Sequence, residues 1–322
     1  MTLDQKASPV VSVIIPTYNV AGCLTRAVDS VLAQSFQDFE IIIIDDASTD
    51  NTVEIAARLA ELDTRVRVFP QNLNQGPSVA RNLGLDAARG EWAAVLDADD
   101  AFTETRLASL LSFAEGRSYD VVADNLILYD EGVKKHVGSA FDWPRVHQLT
   151  IDLLLKRDVY MRGTPLGWIK PMYNLNFLRR NNLRYPPNYR HAEDFYLLAS
   201  LLLSRAKFWL TPEAGYIYTL RMGSLSRKAS PFSASVPNMD SVAASCDELI
   251  ERFNSHLTSE QVVKLKRRKK RFLDGTEVDV ILKHARERRR VRALLAALSR
   301  PRAAAMILER AVLGVVSRIK QR

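Results

Sequence analysis

Cysteine is nearly absent from this chain of 322 residues. Cys23 and Cys246 lie far apart and in no C-x-x-C or Cys/His cluster, which excludes a disulfide framework and a thiolate metal site and predicts two reduced thiols. Long hydrophobic runs are missing as well. The run from Val10 to Ile15 stops at Pro16, and nowhere do apolar residues approach the roughly 18 in a row that a spanning helix needs. No charged leader with an apolar core and cleavage site is visible, so the cytoplasm is the expected compartment. No G-x-G-x-x-G follows the first apolar run, which removes the main support for a dinucleotide-dependent oxidoreductase.

What is present is 47% apolar residues, enough for a substantial core, and an uneven charge. The net charge is +8, yet residues 259–322 hold 19 Lys and Arg against 6 Asp and Glu, leaving 26 against 31 in residues 1–258. The run KLKRRKKR at 264–271 alone would permit phosphate contacts. The acidic balance of the first 258 residues and the lack of an interleaved aromatic platform argue against nucleic acid as partner.

Along the first half, β-branched runs alternate with helix-period segments, the pattern of a mostly parallel sheet covered by helices. Strands are predicted at 10–15, 40–44, 66–69, 92–96 and 120–123. Helices between them are predicted to bury Leu24, Ala27, Val28, Val31 and Leu32, then Val53, Ala56, Ala57 and Ala60, then Val79, Ala80, Leu83 and Ala87 after Pro77 at a helix start. A helix near 192–203, apolar nearly all round, is predicted to be buried, and 223–237 reads as a linker rich in Ser, Gly and Pro.

Polar residues that follow strands line the ligand edge of such a sheet. Here they are acidic. Asp97, Ala98, Asp99 and Asp100 end one strand with three carboxylates, whose repulsion a hard divalent cation would relieve; Mg²⁺ or Mn²⁺ would complete its shell with water and a diphosphate. A turn that caps the next helix is the plainer alternative. Asp45 and Asp46 end another strand, where a carboxylate suits a uracil N–H or a ribose hydroxyl. Pro16, Thr17, Tyr18 and Asn19 end the first, and Arg81 stands near a helix start.

In order, VSVIIPTYN, IIDDASTDNT, NxGxxxARNxG and D-A-D-D resemble glycosyltransferase family 2, with its GT-A fold. The resemblance is specific over residues 10–100, extends to about 226 and is absent from the basic tail. It implies that Pro16, Tyr18, Asn19, Asp46, Arg81, Asp97 and Ala98 bind the nucleotide sugar, and that Asp97 and Asp99 hold Mg²⁺ or Mn²⁺. It implies that Asp194 is the base that deprotonates the acceptor, with Glu193 as orienting neighbour, although Ala192 stands where the family pattern has glycine. Arg221, in TLRMGSLS, would close over the diphosphate, while Trp168, Lys170 and Tyr173 would build the acceptor pocket.

The expected fold is thus α/β: a GT-A, Rossmann-like, mostly parallel sheet flanked by helices, with a basic helical C-terminal extension. The expected boundaries are 1–226 for catalysis (nucleotide half about 10–125, acceptor half about 126–226), 227–258 for a linker and helix, and 259–322 for a basic amphipathic tail. The resemblance implies an inverting hexosyltransferase using a UDP-sugar, glucose foremost, in bacterial surface polysaccharide assembly of the succinoglycan type. The tail suits anionic headgroups at the cytoplasmic face of the inner membrane, beside a lipid-linked oligosaccharide acceptor. A metal-dependent nucleotidyltransferase, using similar paired acids, and a basic nucleic-acid binder are the alternatives.

Overall fold

The computed structural model describes residues 8–159, 164–189, 191–220, 239–286 and 290–309. It divides into two compact units, Met1–Thr150 with Gly167–Val236, and Ile151–Leu166 with Pro237–Arg322.

The first unit opens with β1 (Val11–Thr17), α1 (Leu24–Leu32), β2 (Phe39–Asp45), α2 (Thr52–Leu62), β3 (Val66–Pro70), α3 (Pro77–Ala87) and β4 (Trp92–Val95). β5 (Ala101–Phe102), α4 (Arg106–Ala114), β6 (Val121–Asp130), β7 (Lys135–Ser139) and β8 (His147–Gln148) follow. After α5 (Ile151–Arg157) of the second unit come β9 (Met172–Asn174), α6 (Leu175–Arg180), α7 (Glu193–Leu203) and β10 (Phe208–Leu220). One sheet runs β3-β2-β1-β4-β9-β6-β10-β5, with β7 beside β6 and β8 beside β10. The pairs β1/β2, β1/β4, β2/β3 and β6/β10 are parallel; β9 enters antiparallel between β4 and β6. The predicted strands are all present; Ile41–Ile44 is a β-branched run buried from both sides, whereas β3 is half-exposed at the end of the sheet and β4 is a short buried strand of mostly small residues.

Two helix faces differ from expectation. α2 buries Thr52, Ala56 and Leu59, while Ala57 is exposed. Thr52 Oγ1 accepts a 2.9 Å hydrogen bond from Val20 N, and Leu59 offers more apolar area to the core than Ala60, so the helix turns that way. α3 buries Ser78, Ala80, Arg81, Gly84 and Leu85, and leaves Leu83 exposed. A Cβ on Gly84 would stand 2.3 Å from Ile14 Cγ2, so the helix rests its glycine directly on β1 and turns Arg81 inward. α7 is buried nearly all round, as predicted.

The second unit comprises α5, α8 (Met239–Arg252), α9 (Ser259–Arg286), α10 (Arg290–Ser299) and a helical stretch at 301–309. Part of the α9 basic run has structural work. Arg268 is buried and bonds Asp158 at 2.8 Å, Lys264 reaches Asp152 at 2.7 Å and Arg271 reaches Glu309 at 2.6 Å. Cys23 and Cys246 are both free thiols. Among the described residues no helix is long and apolar enough to cross a membrane.

Candidate active site

The polar edge of the sheet is built at the ends of β1, β2 and β4. At β2, Asp45 accepts hydrogen bonds from the Ser48 amide (2.9 Å), the Ser48 hydroxyl (2.5 Å) and the Thr17 hydroxyl (3.1 Å). Asp46 accepts the amides of Gln75 (2.8 Å) and Gly76 (2.7 Å), which fixes the loop entering α3. Asn19, in the left-handed region at φ 53°, accepts from Thr49 N at 2.8 Å and donates its own amide to Ser48 Oγ at 2.9 Å. Asp50 and Thr52 complete the lacing by accepting from Ala21 and Val20. Pro16, the next-to-last residue of β1, lies beyond the last residue paired to β4, where its missing N–H leaves no ladder bond to β4 unmade. Tyr18, just after β1, is 45% exposed at the rim.

The end of β4 is organised differently. Asp97 Oδ1 meets Arg81 Nη2 at 2.9 Å, and Asp97 Oδ2 meets Lys170 Nζ at 2.9 Å. The same two cations reach the start of α7: Arg81 Nη1 lies 3.2 Å from Glu193 Oε1 and 3.8 Å from Asp194 Oδ1, and Lys170 Nζ lies 3.2 Å from Asp194 Oδ2. The resemblance-derived residues Arg81, Asp97, Lys170, Glu193 and Asp194 therefore form one charge cluster. Burial pushes the Asp97 carboxyl upward, but the charges and hydrogen bonds of Lys170 and Arg81 outweigh it and hold the group well below the usual carboxylate range. Glu193 goes the other way, raised by burial and then by the charge of Asp194.

Ala98 is buried, and Asp100 N donates to Asp97 O at 2.9 Å, so the four residues make a turn. That turn leads into β5; the helix after it, α4, starts only at Arg106. Asp100 accepts from the Tyr216 hydroxyl and the Thr219 amide, both at 2.7 Å. Its carboxyl is pushed well above the usual range by burial, then by the charges of Asp99 and Asp97. The repulsion expected at this strand end is thus relieved at Asp97 by two side-chain cations, with Asp99 half-buried in the same turn. Among the described residues no group of three or more His, Cys, Asp or Glu is placed to hold a metal. Asp97 and Asp99 are carboxylate donors of the kind a hard divalent ion takes together with water and a diphosphate, and both oxygens of Asp97 are here paired with side-chain cations.

Several residues of this site escaped sequence reasoning. Arg106, fully buried, grips Asp124 through two bonds of 2.9 and 2.8 Å and donates to Lys170 O at 2.6 Å, which anchors the backbone that carries Lys170. Gly215 lets β10 pass over this pair, since a Cβ there would lie 2.7 Å from Asp124 Oδ2. The one available signal was the pair Asp124 and Asn125 inside an otherwise apolar run, VVADNLIL. Arg26 donates to Asp99 O and to Thr219 Oγ1, joining α1 to the acidic turn. Tyr185 lies under Arg81, 5.2 Å from the guanidinium to the ring centre, and its hydroxyl meets that of Tyr173 at 3.2 Å. Trp168, half-exposed, stacks on Tyr218 with ring centres 4.8 Å apart and planes 5° apart, a flat platform. Arg221, Ser224 and Ser226 lie outside the described residues.

Ala192, the residue before the acidic pair, has φ 69°, the left-handed region that glycine enters most easily. The backbone keeps there the conformation a glycine would supply, and α7 starts with Glu193 and Asp194 in its first turn.

The chain is similar to the succinoglycan biosynthesis protein ExoO of Rhizobium meliloti, 32% identical over 91% of this chain and 82% of that protein. It is also similar to the glycosyltransferase GlyG of Streptococcus pneumoniae, 32% identical over 68% of this chain and 74% of that protein. Among solved structures, TarS residues 1–349 of S. aureus in complex with UDP-GlcNAc superposes with a TM-score of 0.61 at 19% identity, over 90% of this chain and 91% of that one. The mannosyltransferase PcManGT of Pyrobaculum calidifontis, in complex with GDP-Man and Mn²⁺, gives 0.53 at 18% identity over 96% and 81%. These two likenesses speak for the GT-A fold. The alternatives of a nucleotidyltransferase and a nucleic-acid binder are not favoured. The Glycosyl transferase family 2 model matches residues 12–173, and the chain belongs to that family of glycosyltransferases.

Proposed function

We propose that this glycosyltransferase moves a hexose, glucose foremost, from a UDP-sugar to a lipid-linked oligosaccharide at the cytoplasmic face of the inner membrane, with inversion at the anomeric carbon. The observation that carries the reading is the charge cluster in which Arg81 and Lys170 join Asp97, on the donor side, to Glu193 and Asp194. Residues 1–226 would carry out the transfer, with 227–258 as the connection and 259–322 as the membrane-associated tail. The exopolysaccharide context is supported by ExoO, whose name assigns it to succinoglycan biosynthesis, and the uridine nucleotide by TarS, solved with UDP-GlcNAc.

In this reading the exposed Tyr18 ring and the Asp46 carboxylate face the base and ribose, with Pro16, Asn19 and Ala98 shaping the loops around them. Asp99 and Asp97 would hold Mg²⁺ or Mn²⁺, which when bound would supply positive charge to the diphosphate. Arg221 adds a second positive charge there, on the strength of the resemblance. The acceptor sugar lies against the Trp168–Tyr218 platform. Asp194 takes the proton of the acceptor hydroxyl as that oxygen forms its bond to the anomeric carbon. The bond from that carbon to the diphosphate breaks, and its electron pair leaves with UDP. Lys170 holds Asp194 toward the donor side, and Glu193 orients Arg81.

Calorimetric titration of UDP, GDP and NAD, with and without Mn²⁺, into the native chain and Asp99→Ala tests this reading. Metal-dependent UDP binding that the substitution abolishes is the expected result. Metal-independent UDP binding unaffected by the substitution overturns the metal site, and a preference for GDP or NAD overturns the uridine donor.

A further inference from the structure

The second unit packs one of its helices inside out. α10 contributes Ala296, with Ala297 partly buried, to a small core that also holds Val278, Ile281, Ala303 and Met306. Its larger apolar residues point the other way: Val291 is 72% exposed, Leu294 62%, Leu295 60% and Leu298 70%. The spacing i, i+3, i+4, i+7 aligns these four on one face of the helix. A helix that served only its own bundle would turn the leucines inward and the alanines outward, because burial free energy scales with apolar area. The sequence hides this inversion, since leucine and alanine both read as apolar; only the exposures separate the two faces.

Charge says what covers the face. Residues 288–308 contain six arginines (Arg288, Arg289, Arg290, Arg292, Arg300 and Arg302) and no acidic residue. Arg292, beside the leucines on α10, and Arg302 are exposed. On α9, Lys266, Arg267 and Lys270 are exposed too, with no ion pair among the described residues. A second copy of this chain would bring the same arginines against these, a like-charge contact. Residues 310–322 carry four basic residues and no acid, so they offer no complementary charge either. A bilayer rich in anionic lipid offers both partners at once, hydrocarbon for the leucines and phosphate for the arginines, whose stems reach upward from a half-submerged helix.

We propose that the Val291, Leu294, Leu295 and Leu298 face of α10 is an insertion surface for anionic membranes. The proposal rests on the reading of residues 259–322 as a membrane-associated tail and names the surface that makes the contact. It differs from attraction of the basic run alone, since the apolar face gives binding that salt does not fully screen.

The test is vesicle co-sedimentation of the full chain, with phosphatidylcholine alone and with about one-third phosphatidylglycerol added, at low and high salt. The native chain is compared with a variant carrying Leu294→Asn, Leu295→Asn and Leu298→Asn. Expected is binding to the anionic vesicles only, surviving in part at high salt, and weakened at least ~10-fold in the variant, with UDP affinity and thermal midpoint unchanged. If native chain and variant bind anionic vesicles equally and salt removes both, the membrane reading stands and the insertion face does not. If the native chain binds no vesicle, both fail. A variant that melts markedly earlier shows that the face is covered within the chain, and a native dimer that the variant turns to monomer shows a second copy there; either result overturns the proposal.

Discussion

The ends of β2 and β4 pose the same problem and solve it in opposite ways. Each strand runs an apolar stretch into consecutive acidic residues at the same edge of the sheet. At β2 the answer is neutral: Asp45 and Asp46 are satisfied by hydroxyls and amides of the loops at 17–19, 48–52 and 71–76. At β4 the answer is charged: Asp97 depends on the side-chain cations Arg81 and Lys170, which share themselves with Glu193 and Asp194. The first arrangement is a frame whose hydrogen bonds need no ligand. The second is an electrostatic balance that any charged ligand bound there would perturb, because Lys170 already serves two acids and Arg81 three.

Removing one acid from each end should separate the two. Asp97→Asn leaves Arg81 and Lys170 buried with one acid fewer; a loss of about 3 kcal/mol in urea unfolding is expected, together with at least a ~100-fold fall in sugar transfer. Asp46→Asn keeps an acceptor oxygen but turns an amide toward the Gly76 N–H, and should cost about 1.5 kcal/mol with a weaker nucleotide. If the two substitutions cost the same in stability, the contrast between a charged balance and a neutral frame is wrong.

pH sharpens the contrast within the cluster itself. Asp97, depressed on folding, contributes stability that is whole above its ordinary value of 3.8 and is lost as the pH falls below it. Glu193, raised on folding, contributes stability that is whole below 4.5 and shrinks as the pH rises through its elevated value. Glu193→Gln should therefore gain on the native chain in urea midpoint as the pH climbs from 4.5 toward neutrality, by no more than about 1 kcal/mol given the pairing lost with Arg81. A difference that stays flat over that range would show that Glu193 carries no burial strain.

Sequence reading reached the frame further than the balance. β1 and β2 were the most legible of the five predicted strands, because a β-branched run buried on both faces looks the same in sequence and in space. The acidic pairs were legible because they follow such runs directly. That Lys170 meets both Asp97 and Asp194 was not, since β9 enters the sheet antiparallel beside β4 and no periodicity announces a pairing between distant segments. Nor was the inward turn of Arg81, because a helical wheel ranks Leu83 above an arginine and knows nothing of the carboxylates waiting inside. The grouping of Ile151–Leu166 with the C-terminal helices, through Asp152 and Asp158, is non-local in the same way.

Gly84 meets no ligand in any reading of the site, yet it calibrates the site. With hydrogen where another residue has a methyl, α3 settles against Ile14, and Arg81, one turn earlier, extends just far enough to hold Asp97 with one nitrogen and Glu193 with the other. A methyl group there would act as a shim under the helix and lift the guanidinium away from both acids, and misplacement by about 1 Å can cost an enzyme ~100-fold. The fineness of the catalytic edge is thus set on the far side of a helix turn, by the one side chain that is missing.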